Sequence, residues 1–131
     1  AVLGVGCRKG IGQQAMEEAF AALLAQSGLC AEAFYKVCSI DLKRDEPGLR
    51  AFCAAHGFAF ETFSAAQLAA VEGRFSSSGF VQSVTGVDNV CERSAVLGSG
   101  GTLYCKKQAG GGVTMAAAMA PFAPDWRWQD E

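Results

Sequence analysis

Histidine is nearly absent from this 131-residue chain: His56 stands alone. No two cysteines are spaced C-x-x-C, so a zinc site has no framework to build on. The run G-K-[ST] occurs nowhere, which removes a phosphate loop. The dinucleotide fingerprint G-x-G-x-x-G is missing as well. In Gly4-Val5-Gly6-Cys7-Arg8-Lys9-Gly10 three residues separate the second and third glycines. No metal and no cofactor are therefore expected. Nucleophilic catalysis through a Ser-His-Asp or Cys-His set would have to use His56, yet His56 precedes Gly57 at an expected helix end, where a C-capping role suits it better.

Long apolar runs are lacking too. None reaches the roughly 18 residues a membrane span needs, and no membrane partner is expected. Arg8 and Lys9 follow the short apolar start instead of preceding a long one, which is not the layout of a signal peptide. Only 18% of residues are charged and the net charge is −2, so a generally basic nucleic-acid binder is excluded. Half of the residues are hydrophobic. That predicts one compact domain over residues 1–131, with 121–131 as a surface tail. The six cysteines are dispersed among small apolar neighbours, and most of them read as buried, reduced thiols of a cytoplasmic protein.

What is present alternates between two periodicities. An apolar, β-prone start over about residues 1–6 breaks into Cys7, two cations and two glycines. A helix then follows over about residues 13–27, with Ala15, Met16, Ala19, Phe20, Leu23 and Leu24 in its apolar stripe and Gly28 as its stop. A second strand is expected over 34–40. A polar loop follows it, with Asp45 as N-cap and Pro47 in the first turn of a helix ending at His56-Gly57. A third strand over 58–62 leads to Ser64-Ala65-Ala66-Gln67, which has the form of a capping box. Residues 73–79 read as a loop. A further helix carries Val90, Cys91, Ala95 and Leu97 inward, and two strands, 102–106 and 113–119, flank Gly110-Gly111-Gly112 as a hairpin. The expected fold class is α/β: three layers, α/β/α, with a mostly parallel mixed sheet of about five strands and a C-terminal hairpin.

The cations carry the functional signal. Arg8-Lys9, Lys43-Arg44 and Lys106-Lys107 are adjacent pairs, and the first two directly follow expected strands. In a parallel sheet those loops share the edge where ligands sit. Lys106-Lys107 is expected to end the fourth strand. Such a cluster suits a ligand with several carboxylates or phosphates. Asp41 and Asp45 accompany it, Asp41 as a candidate for orienting a cation. Glu92 falls in a first helical turn, where the dipole favours a carboxylate. Cys7, beside cations and a helix start, is the one thiol with a case for a lowered pKa. The candidate ligand-binding residues are thus Gly6, Cys7, Arg8, Lys9, Gly10, Asp41, Lys43, Asp45 and Lys107. The catalytic candidates are Cys7, Asp41 and Glu92.

Five stretches, in order, resemble the cobalamin-biosynthesis family formed by CobE and the C-terminal domain of CbiG. They are Gly4 to Gly10, Ser39-Ile40-Asp41-Leu42-Lys43-Arg44-Asp45-Glu46-Pro47-Gly48-Leu49, Phe63 to Leu68, Thr85-Gly86-Val87-Asp88-Asn89-Val90-Cys91-Glu92, and Val113 to Ala116. The resemblance adds Gly86 to the ligand-binding set. It implies an α/β/α domain acting in corrin ring construction. CbiG-type members hydrolyse the lactone of cobalt-precorrin-5A and release acetaldehyde, and they carry a further N-terminal domain. A chain of this length looks instead like a standalone, CobE-like member of the oxygen-dependent route. The ligand so implied is a precorrin or a tetrapyrrole of the hydrogenobyrinic acid type, held for sequestration or transfer. Phe75, Phe80, Trp126 and Trp128 would supply apolar wall. Other corrin-pathway enzymes are candidate partners through the tail aromatics. The alternative is an enzyme acting on a precorrin, as a lactone hydrolase before a methyltransferase.

Overall fold

The computed structural model describes residues 1–71 and 89–120. Five strands form one mixed sheet: β1 (Val2–Cys7), β2 (Lys36–Ile40), β3 (Ala59–Phe63), β4 (Thr102–Gly110) and β5 (Val113–Met119). Their spatial order is β3-β2-β1-β5-β4, with β1, β2 and β3 parallel and β5 antiparallel to both β1 and β4. Two antiparallel steps turn β4 back to the direction of β1. The carboxyl ends of β1, β2, β3 and β4 therefore all point to one edge of the sheet.

Helices α1 (Gln13–Ser27), α2 (Pro47–His56), α3 (Ala65–Ala69) and α4 (Val90–Ser99) cover both faces. Alternation along β1 divides the core. Leu3 and Val5 join Val37, Met115 and Ala117 under α1 and α2, packing on Met16, Phe20, Leu23, Leu49 and Phe52. Val2, with Cys38 and Ile40, packs instead on Leu68 and Val90 under α3 and α4. Phe20 is the hub of the first face, meeting Phe34, Phe52 and Phe58 edge-on at centroid distances of 5.3–5.8 Å.

The helix boundaries follow their chemistry. Gly28 and Gly57 close α1 and α2 in the left-handed conformation. The Ser64-Gln67 pair forms both bonds of a capping box, Gln67 N–H to Ser64 Oγ and Ser64 N–H to Gln67 Oε1. All six cysteines are free, with Cys38, Cys53, Cys91 and Cys105 buried, Cys7 half-buried and Cys30 exposed.

Three expectations need correcting. Asp45 does not cap α2. It is exposed, Glu46 holds the N-cap position, and no side chain caps that helix. His56 does not cap its end either, because its Nε2 meets Glu17 Oε1 at 2.8 Å while the ring stacks on Phe58. Lys106-Lys107 does not end β4, which runs on to Gly110 through two register shifts, between Leu103 and Cys105 and between Cys105 and Gln108. The pair therefore sits at an irregularity inside the strand, where β-bulges absorb extra residues. Residues 73–79 and the tail 121–131, with Gly86, Phe75, Phe80, Trp126 and Trp128, lie outside the described residues.

Candidate functional site

The carboxyl edge is built around the loop that leaves β1. Strand β1 ends at Cys7, and Arg8, Lys9 and Gly10 are exposed beyond it. Gly10 turns the chain at φ 81°, with open space where a Cβ would stand. Three contacts fix the loop. Arg8 N–H donates to the Gly112 carbonyl at 3.0 Å, tying it to the β4-β5 turn. Gly10 N–H donates to Glu46 Oε1 at 3.0 Å, tying it to the start of α2. Gly48 of α2 lies so close to the Ile11 carbonyl that a Cβ there would collide with it.

Beside this loop, β2 ends in a single 3-10 turn, Asp41–Lys43. Arg44 Nη2 pairs with Asp41 Oδ1 at 3.0 Å on the surface, so Asp41 orients Arg44 and not Lys43. Lys43 is buried, at 8% exposure, and close enough to Cys7 to act on its thiol. On the other face, α4 begins at the same edge. Its N-cap Asn89 sits at φ 52°, ψ 56° and accepts the Glu92 N–H at 3.2 Å. Asn89 Nδ2 donates to Glu92 Oε1 and the Lys107 N–H donates to Glu92 Oε2, each at 2.6 Å. Glu92 thereby bolts the first turn of α4 to the irregular stretch of β4.

These positions sort the candidates. Gly6, Cys7, Arg8, Lys9, Gly10, Asp41 and Lys43 gather at the ends of β1 and β2. Asp45 stands exposed just beyond them. Lys107 is not with them, because Cys105 and Gln108 align through β5 with Leu3 and Val5, well short of the edge. Lys107 is also three strand spacings from β2, about 14 Å. Two of the three cation pairs therefore meet, and the third faces α4. Gly86 lies outside the described residues.

The electrostatics also correct the reading of Cys7. Burial pushes its thiol up to about 11; Lys43 opposes the rise and Glu46 adds to it. At neutral pH the thiol form therefore prevails, opposite to the lowered pKa expected from its cationic neighbours. Desolvation outweighs the neighbouring cation. Neither α1 nor α2 has a capping side-chain hydrogen bond; α1 has no acid in its first turn and opens a positive helix end on this edge, whereas Asp45 and the N-cap Glu46 place carboxylates at the start of α2. Among the described residues no group of three His, Cys, Asp or Glu could hold a metal ion, and no helix is long and apolar enough to cross a membrane.

Sequence reasoning missed Glu46 as the residue that holds Gly10. A contact across 36 residues leaves no local pattern. It also placed Glu92 only by its dipole, although Asn89-x-x-Glu92 carries the spacing of a reciprocal cap.

The chain is similar to proteins of one pathway. It is 31% identical over 121 residues to the cobalt-precorrin-5A hydrolase of Priestia megaterium, covering 92% of this chain and 32% of that protein. It is 33% identical over 119 residues to the enzyme of the same name from Salmonella typhimurium, covering 91% of this chain and 34% of that protein. The chain thus spans about a third of the length of these curated relatives. The solved structure of CobE, a protein from the cobalamin (vitamin B12) biosynthetic pathway, superposes with a TM-score of 0.82 at 28% identity, covering 88% of this chain and 86% of that one. The family model described as cobalamin synthesis G C-terminus matches residues 1–118, and the chain belongs to that family.

Proposed function

We propose that this chain binds a polycarboxylate tetrapyrrole, a precorrin or hydrogenobyrinic-acid-type intermediate, at the carboxyl edge of its sheet, and sequesters or hands it on without converting it. The observation that carries this reading is the convergence of Arg8, Lys9 and Lys43 with the uncapped N-terminus of α1 at one end of β1 and β2. Such an edge is suited to several carboxylates at once, because each can take a cation or free N–H groups. Membership of a cobalamin-synthesis family supports a corrin precursor as the bearer of those carboxylates.

A hydrolytic reading is favoured by the names of the two curated relatives. The chemistry at this edge supports it less. Cys7 is held as a thiol, Asp41 is engaged by Arg44, and Glu92 is 1% exposed and ties Asn89 to Lys107. Each catalytic candidate is thus held in a role that does not free it to attack or to move a proton.

Titration of hydrogenobyrinic acid, followed by its absorbance, tests the binding reading. Replacing Arg8→Ala and Lys9→Ala together is expected to raise Kd by about tenfold to a hundredfold and to flatten the salt dependence, as loss of two charge-assisted contacts should. An unchanged Kd in the double variant contradicts the site. A change of mass in cobalt-precorrin-5A incubated with the protein alone supports the hydrolase reading.

A further inference from the structure

Six polar or charged residues are buried among those described, and five of them have hydrogen-bond partners. Ser39 Oγ donates to the Val5 carbonyl at 2.6 Å, and Ser94 Oγ donates to the Cys38 carbonyl at 3.2 Å. Glu46 accepts from Gly10, and Asn89 and Glu92 bond each other. Lys43 is the sixth. Its ammonium has no hydrogen bond or ion pair among the described residues. Of the three acids nearest along the chain, Asp41 is engaged by Arg44 and Glu46 by Gly10 N–H, and Asp45 is exposed.

The Lys43 stem is covered by the fold, while its charge has no anion beside it among the described residues. Yet the group is not sealed in. Among the described residues every side-chain nitrogen or oxygen fully closed off from solvent has a partner, so Nζ of Lys43 keeps an opening to the outside. A donor-only group with three N–H bonds, placed beside Cys7 at the ends of β1 and β2, suits an incoming oxygen acceptor, and its charge favours an anionic one. The start of α1, with neither a capping side chain nor an acid in its first turn, acts in the same sense.

We propose that Lys43 forms a dedicated subsite for one carboxylate of the ligand, set deeper in the sheet edge than the exposed Arg8 and Lys9. The rim cations are exposed and act by attraction over a distance. The niche fixes one side arm, and with it the orientation of the macrocycle. This deepens the binding reading and rests on it for the identity of the macrocycle, but the niche itself is testable without one.

The test has two arms. The first follows the ¹³Cε–¹H signals of the lysines in the parent protein as acetate, the smallest carboxylate, is added. Lys43 is expected to shift saturably, while exposed Lys9 does not and sodium chloride of equal ionic strength leaves Lys43 unmoved. A Lys43 that responds no differently from Lys9 overturns the niche. The second arm is Lys43→Met. It is expected to raise Kd for hydrogenobyrinic acid at least about tenfold while Tm stays within about 2 °C of the parent or rises, because a buried charge has gone. Parent-like affinity in Lys43→Met overturns the niche while leaving the wider edge intact. Should Lys43→Met fail to fold, Lys43→Gln and the acetate titration of the parent decide the matter. Acetate binding at Lys43 with no macrocycle binding by the parent would instead overturn the wider reading alone.

Discussion

Gly4→Ala is expected to destabilise the fold by about 4 kcal/mol or more, and Gly4→Val to abolish it. Gly4 is the midpoint of β1, on the face covered by α4. A Cβ there would run into the Cys91 carbonyl and stand 2.8 Å from Ala95 N. Both obstacles are backbone, so no rotamer change relieves the clash. To make room α4 would have to lift from the sheet, and that would strip the cover from Val2 and Cys38. It would also move the Asn89–Glu92 turn away from β4. Urea unfolding followed by circular dichroism measures the loss. A Gly4→Ala protein within about 1 kcal/mol of the parent would show that α4 does not lie this close to β1.

Glu92→Ala is expected to cost about 3 kcal/mol. The change removes the acceptor of two bonds, leaving the Asn89 side-chain amide and the Lys107 N–H without it in a buried setting, where each such group costs about 1–3 kcal/mol. Glu92→Gln keeps one acceptor oxygen and should lose about half as much. The graded series separates a strut from an acid–base group, because a proton-transfer role would make Glu92→Gln as damaging to turnover as Glu92→Ala while sparing stability. Unfolding free energies of the two variants, measured side by side, read the difference. Equal stability of both with the parent would remove Glu92 from its structural role.

The α/β class, the parallel β1-β2-β3 half and the hairpin were all legible, because the alternation of apolar runs with helical stripes is a local signal. The Ser64-Gln67 cap, Gly28 and Gly57 were legible for the same reason. The end of β4 was not. The glycines marked the hairpin turn, but the strand was expected to stop at Lys106, whereas it absorbs Lys106 and Lys107 through register shifts that depend on the partner strand β5. The site divides along the same line. Arg8-Lys9 and Lys43 could be placed together from strand order alone. The separation of Lys107 follows from register, the raised pKa of Cys7 from burial, and the role of Glu46 from a contact between distant segments. None of these is a property of neighbouring residues. The buried state of Lys43 was equally hidden, since in the chain it reads as one half of a solvated pair with Arg44.

The central claim is that the ligand meets the protein at the carboxyl edge of the sheet. Mapping amide chemical shifts as hydrogenobyrinic acid is added tests it most directly. The account predicts that the largest shifts fall on residues 7–12, 41–48 and 89–92, with the opposite edge, at Lys36, Gly57 and Gly100, unaffected. Shifts centred on that opposite edge, or none at any ligand concentration, would contradict it.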